Sequence, residues 1–239
     1  QVSDPSYGPG LDPTDSDTAP VDTAVEGLPW RPVRPRPSAG GELAFVDGAQ
    51  QLEAWLTVSA GDDPAMTPGV AFAVAAGAVV AAPGRRAEIR SLRVRRAVLT
   101  VGARLLELPP VGGFAWEPRA GAAGEPTGLA RRVGQLRQEL EHAVAEELAG
   151  PDRLVVLDGR LSFVRDAGGP VVGAIKSHHR MYLPPDEAGA VVALDVGERT
   201  PLFAIGEDRL SWYQRLPGVG RDGWAGILRG ELPSAVGVE

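Results

Sequence analysis

Apolar residues recur at two periods along this chain, alternating or clustered in short runs at both ends and spaced as on a helix in the middle. Leu43-Ala44-Phe45-Val46 is an apolar strand running into Asp47-Gly48, a turn pair, and Leu52 to Val58 continues as a second strand, so 43–58 reads as a hairpin. Val70 to Ala82 and Leu92 to Leu108 are further strands, the latter with Arg93, Arg95 and Arg96 set against Val94 and Val98. After a Gly/Pro-rich connection at 109–128, Leu129, Val133, Leu136, Leu140, Val144 and Leu148 fall at helical spacing. Thr127 is the expected cap of that helix, and Gly150-Pro151 its stop. A second apolar strand ending in Asp-Gly, Arg153 to Gly159, follows it. Strands are then predicted at 170–176, 190–194, 202–205, 210–216 and 224–228. The order predicts an α/β protein with one mixed central sheet.

Composition changes this picture mainly at the N-terminus. Residues 1–29 hold Asp4, Asp12, Asp15, Asp17, Asp22 and Glu26 with no Lys or Arg, so most of the net charge of −7 lies there. Rich in Pro, Ser and Thr and poor in large apolar residues, this acidic tail is expected to be disordered. Residues 30–41 form a Pro/Arg-rich strap whose alternating prolines exclude helix, with Trp30 as an aromatic anchor for a partner. The folded body is expected over 42–239 and is close to neutral, which permits a nucleic-acid substrate without requiring one. With no cysteine, any metal would be held by oxygen or imidazole. No run of apolar residues is long enough for a membrane span, and the chain reads as soluble and cytoplasmic.

Lys176 is the single lysine beside 23 arginines. An ammonium is a compact point charge where a guanidinium is a wide fork, so a lone surviving lysine is either an accident at a strand end or a place where arginine does not substitute. It sits in Gly173-Ala174-Ile175-Lys176-Ser177-His178-His179-Arg180, with two of the three histidines. Asp47 and Asp158 each close an apolar strand before a glycine. Each pair is either a plain turn or half of a site for a hard cation such as Mg²⁺ or Mn²⁺, which takes a few carboxylates plus phosphate oxygens. Glu141 flanks the apolar stripe of the helix, with Arg137 and Ala145 on its side, and can lean over a sheet rim. There is no phosphate-binding loop ending in Lys-Ser/Thr, no G-x-S-x-G and no H-E-x-x-H. A restriction-type site would place an acid two residues before its lysine, where this chain has Ala174.

Taken in order, these pieces resemble the NurA nucleases, RNase H-like enzymes that work with the hexameric ATPase HerA. The resemblance is carried by Phe45-Val46-Asp47-Gly48, by Leu136 to Glu141, by Leu154 to Leu161 and most specifically by Gly173 to Leu183. Glu198 to Phe203, Ser211 to Leu216 and Trp224 to Glu231 match the closing strands. It implies a Mn²⁺- or Mg²⁺-dependent deoxyribonuclease in which Asp47, Glu141 and Asp158 bind the metal and Lys176 faces the scissile phosphate. Arg180, His178, His179 and Tyr182 would meet DNA, although packing is an equal reading for either histidine. A homodimer docked on a HerA-type hexamer, in DNA end processing or defence against phage, is the implied setting. The rival is a non-catalytic adaptor of the same fold. Gln51 and Trp55 stand where the family often has arginine, and the family continues past the position of Glu239 with a further acidic residue.

Overall fold

A computed structural model describes residues 19–36, 40–60, 63–102, 105–121, 126–161, 168–178, 181–218 and 223–234. In chain order its elements are β1 (Val21–Asp22), β2 (Glu42–Ala60), β3 (Asp63–Ala81), β4 (Glu88–Thr100), β5 (Glu117–Ala120), α1 (Pro126–Leu148), β6 (Arg153–Asp158), β7 (Val171–Ile175), α2 (Pro185–Val192), β8 (Phe203–Ile205), β9 (Arg209–Arg215) and β10 (Ile227–Pro233). They fall into two compact units, one of Arg36–Ile175 and one of Gln1–Pro35 with Lys176–Glu239.

In the larger unit β2, β3 and β4 form an antiparallel meander, and β5 joins β4 in parallel. On the other side of β2, β6 and then β7 add in parallel, giving the order β7-β6-β2-β3-β4-β5. The fold is thus α/β with a mixed sheet, as the strand–helix–strand order predicts. The helix α1 lies on one face. All six residues of its predicted stripe are buried, against Ala44 and Val46 of β2, Val70, Phe72, Val74, Ala76 and Ala78 of β3, and Val155 and Leu157 of β6. Alanines on β3 supply a low surface on which a helix can pack closely.

The predicted hairpin at 43–58 is not formed. β2 runs unbroken through Asp47-Gly48, which pair with Gly77 and Ala76 of β3, and the reversal falls after Ala60. Sustained pairing with a β3 of equal length overrides the local turn preference of Asp-Gly. Thr127 lies inside α1, which begins at Pro126, a residue suited to a first turn because its missing N–H has no partner there anyway.

In the smaller unit β8, β9 and β10 are antiparallel, with β1 added at the edge of β8. The predicted strand at 190–194 is instead the end of α2. Pro185 opens that helix, Asp186 and Glu187 occupy its first turn, and Val191 and Leu194 turn into an aromatic core. Part of the tail expected to be disordered is ordered. β1 pairs with β8, and Glu26 binds Arg199 at 2.6 Å while accepting a hydrogen bond from the Leu202 N–H. Its charge serves as a half-buried tie, which composition alone reads as tail acidity. Residues 1–18 lie outside the described residues. No helix among the described residues is long and apolar enough to cross a membrane.

Candidate active site

Alternation along β2 turns Ala44 and Val46 into the core beneath α1 and leaves Phe45 and Asp47 exposed on the opposite face. On β6, Val155 and Leu157 are likewise buried, leaving Asp158 exposed. The parallel register Val46↔Leu157 brings Asp47 and Asp158 level on adjacent strands. There β6 ends while β2 continues. Gly159, at φ 116°, turns the chain away with its N–H donated to Ala174 O at 2.9 Å. Carboxyl ends of neighbouring parallel strands are the usual place for a site in an α/β sheet, because the diverging chains leave a crevice.

The two Asp-Gly pairs do different work. Gly159 supplies a left-handed turn. Gly48 is mid-strand and supplies space. A β-carbon built on it would stand 2.3 Å from Glu141 Oε1 and 2.9 Å from Ala75 O. The carboxyl of Glu141, only 4 % exposed, therefore rests against the β2 backbone where a side chain would be. One helical turn earlier Arg137 donates to it. Burial pushes the Glu141 carboxyl up to about 7, against the pull of Arg137 and reinforced by the negative fields of Asp47 and Asp158. Glu141 thus feels the negative fields of Asp47 and Asp158 beside its own pairing with Arg137. Asp47 Oδ1 also accepts the Gly48 N–H at 2.8 Å.

The donors are of the hard-oxygen type that Mg²⁺ and Mn²⁺ select. Among the described residues, however, no three His, Asp or Glu side chains are drawn close enough to enclose an ion. The carboxylates fit such a cation in chemistry; Asp47 and Asp158 share the face turned away from α1, while Glu141 lies on the α1 side of β2 and is engaged with Arg137.

Lys176 is exposed and follows β7 directly; it is the first residue of the other unit's second segment. Within that unit His178 is half-buried, its Nε2 2.9 Å from Ile227 O and its ring beside Tyr213 and Trp224 at 5.8 and 5.2 Å. That is the packing reading of this histidine. Tyr182, expected at DNA, is buried in the same aromatic core with the Arg229 guanidinium over its ring at 4.5 Å, so its ring faces are used internally. Trp30, expected as a partner anchor, donates Nε1–H to Glu187 O at 3.0 Å and packs edge-on against Phe203. An aromatic among prolines reads equally as an intermolecular or an intramolecular anchor; here it is intramolecular, beside the two backbone hydrogen bonds between Val33 and Arg199. His179 and Arg180 lie outside the described residues. What sequence reasoning missed is the role of Gly48 as room for Glu141. Only the conjunction of a mid-strand glycine with a helical glutamate could have signalled it.

No protein-family model matches the chain, and no curated protein matches it. Among solved structures it is similar to the NurA nuclease from Sulfolobus solfataricus, with 11% sequence identity and a TM-score of 0.48 over 86% of this chain and 71% of that one.

Proposed function

We propose that this protein is a metal-dependent DNA nuclease of RNase H-like fold, with Asp47, Glu141 and Asp158 as ligands of Mn²⁺ or Mg²⁺. The observation that carries this reading is the Glu141 carboxyl, buried against Gly48 within the fields of Asp47 and Asp158. A carboxyl that burial and two neighbouring carboxylates hold protonated up to about pH 7 is one that a bound cation would draw into its charged form. The finer fold reading is supported by the chain order: three long antiparallel strands, a helix laid across them, and two parallel strands added beside the first.

When bound, such a cation supplies an activated water and neutralises charge on the phosphoryl oxygens. Asp47 and Asp158, exposed on one face, offer oxygens that leave room for a phosphodiester. Glu141, packed against Gly48 and paired with Arg137, would hold the cation only by giving up that pairing. A carboxyl titrating at about 7 also holds or releases a proton under working conditions. Lys176 is assigned to the developing charge on the phosphoryl group, where a compact ammonium suits one oxygen. Arg180 and His179 are assigned to the DNA backbone. A homodimer and a HerA-type hexameric ATPase as partner complete the proposal, and both rest on the sequence resemblance.

The second reading, an adaptor without activity, is favoured by the Arg137–Glu141 pairing and by the absence of a closed three-donor group among the described residues. Incubation with linear and circular DNA and Mn²⁺ separates the two. The nuclease reading expects cleavage that Asp47→Asn and Asp158→Asn each abolish. Intact DNA with the wild-type protein, alone and with a hexameric translocase, supports the adaptor.

A further inference from the structure

The face of β2, β3 and β4 turned away from α1 is built as an apolar slot around Asp47. It is a shallow, open groove of about 290 Å³. Phe45, Val79, Ile89 and Leu92 wall it, and Ala75 and Gly77 form a floor without bulk. Phe45 and Val79 are a cross-strand pair, as are Asp47 and Gly77, so the apolar wall and the acid are one step apart along the same two strands. The four wall residues are 44–73 % exposed.

The shape has a local cause. The β3–β4 register shifts between Ala76 and Ala78, and Ser91 at the shift has φ 54°. A left-handed non-glycine residue is a costly conformation. It is held by a hydrogen bond from Ser91 Oγ to Glu147 on α1 at 2.7 Å. The shift lays Leu92 over Gly77, where a β-carbon would meet Leu92 Cδ1 at 3.3 Å. Backbone strain, a glycine and an exposed leucine are thus spent on one surface, directly across from Asp47.

We propose that this slot receives an unstacked nucleobase, so that Phe45 and Leu92 select an unpaired strand for cleavage at Asp47. The inference rests on the nuclease reading above. Asp47 itself is part of the lining, so a protein bound over this face would cover the acid that must reach the phosphodiester. The occupant is then the substrate. Which part of the substrate follows from the lining: none of the residues around the slot is Lys or Arg, so it offers nothing to a phosphate. An aromatic ring and aliphatic walls suit the flat face of a base, whatever its identity. A stacked duplex keeps those faces covered and presents phosphates and groove edges, so the base must come from a single strand or a frayed end.

The test is fluorescence anisotropy in EDTA, which stops cleavage, using a single-stranded oligonucleotide and a blunt duplex of the same sequence. Phe45→Ala should weaken single-strand binding about tenfold, within the range of one stacked base, Leu92→Ala should weaken it by a smaller factor, and both should leave duplex binding within about twofold. Both side chains are exposed, and thermal melting of each variant checks that the fold survives. Equal weakening of both DNAs, or of neither, overturns the slot while leaving the nuclease reading to its cleavage assay. If wild type binds neither DNA, both readings fall. Sedimentation of the same proteins adds one outcome: a wild-type dimer that Phe45→Ala dissociates would assign the face to a second copy and overturn the proposal.

Discussion

Among the described residues two glutamates are buried, one in each unit, and their surroundings differ. Glu231 on β10 is 0 % exposed and lies 2.8 Å from Arg229 and 3.6 Å from Arg209. Glu141 on α1 is nearly as buried, but it shares one arginine with the fields of two aspartates. A carboxylate enclosed by cations is neutralised within the fold and holds strands together. Glu141 has one arginine partner, whose pull is outweighed by burial and by the fields of Asp47 and Asp158, so its charge is only partly compensated. Burial alone therefore does not distinguish a structural acid from a functional one; how fully the neighbouring charges offset it does.

The largest effect expected from this contrast is on Glu231. Glu231→Ala leaves Arg229, 4 % exposed, without its buried counter-charge, and breaking such a pair costs about 3–5 kcal/mol. Urea unfolding should show that loss. A cost below about 1 kcal/mol would mean the arginines find other acceptors, and the contrast would lose one side.

Glu141→Gln should act with the opposite sign. The carboxyl titrates at about 7 in the folded chain and near 4.5 when unfolded, so between those values the native state holds the proton more tightly. Wild-type stability from this group falls as pH rises from about 4.5 to 7, then stays reduced. Glutamine removes that loss. The variant should be more stable at pH 8 by up to about 3 kcal/mol and about equal to wild type at pH 4. Melting curves at both pH values check it, and a glutamine that destabilises at pH 8 would show that Arg137 over-compensates the burial.

Gly48→Ala should cost about 1–3 kcal/mol, because the new β-carbon would overlap the Glu141 carboxyl and crowd Ala75 O. The overlap with Glu141 vanishes if that residue is already alanine. In the Glu141→Ala background the cost should shrink by at least 0.5 kcal/mol, a coupling of the size seen between residues in contact. Strict additivity would mean that the strand backbone, and not Glu141, sets the cost. The smallest effect is Asp47→Asn without metal, which should raise the melting temperature slightly and move the Glu141 titration down. An unchanged Glu141 titration, followed by NMR, would detach Asp47 from the cluster.

Much of this arrangement was legible in the chain. The α1 stripe, the apolar strands at Leu43 to Val46 and Leu154 to Leu157, and the carboxylates that end or interrupt them all follow from period and residue type. What escaped was decided by partners distant in sequence. Asp-Gly at 47–48 carries a turn preference, yet β3 holds it in a strand. Glu26 belongs to an acidic tail by composition, and Arg199 makes it a tie. Val191 and Leu194 belong to a strand by propensity, and Pro184-Pro185 with two acids starts a helix there instead. Tyr182 and His178 look available in sequence, and an aromatic core claims them.

The central claim is that Asp47, Glu141 and Asp158 form one cation site. Calorimetric titration of Mn²⁺ into the full chain at pH 8 tests it most directly, with Asp47→Asn, Asp158→Asn and Glu141→Gln beside wild type. The account predicts saturable binding by wild type, weakened at least about tenfold in each variant, as the loss of one charged ligand requires. Binding that is equally tight in all four proteins, or no saturable binding by wild type, would contradict it.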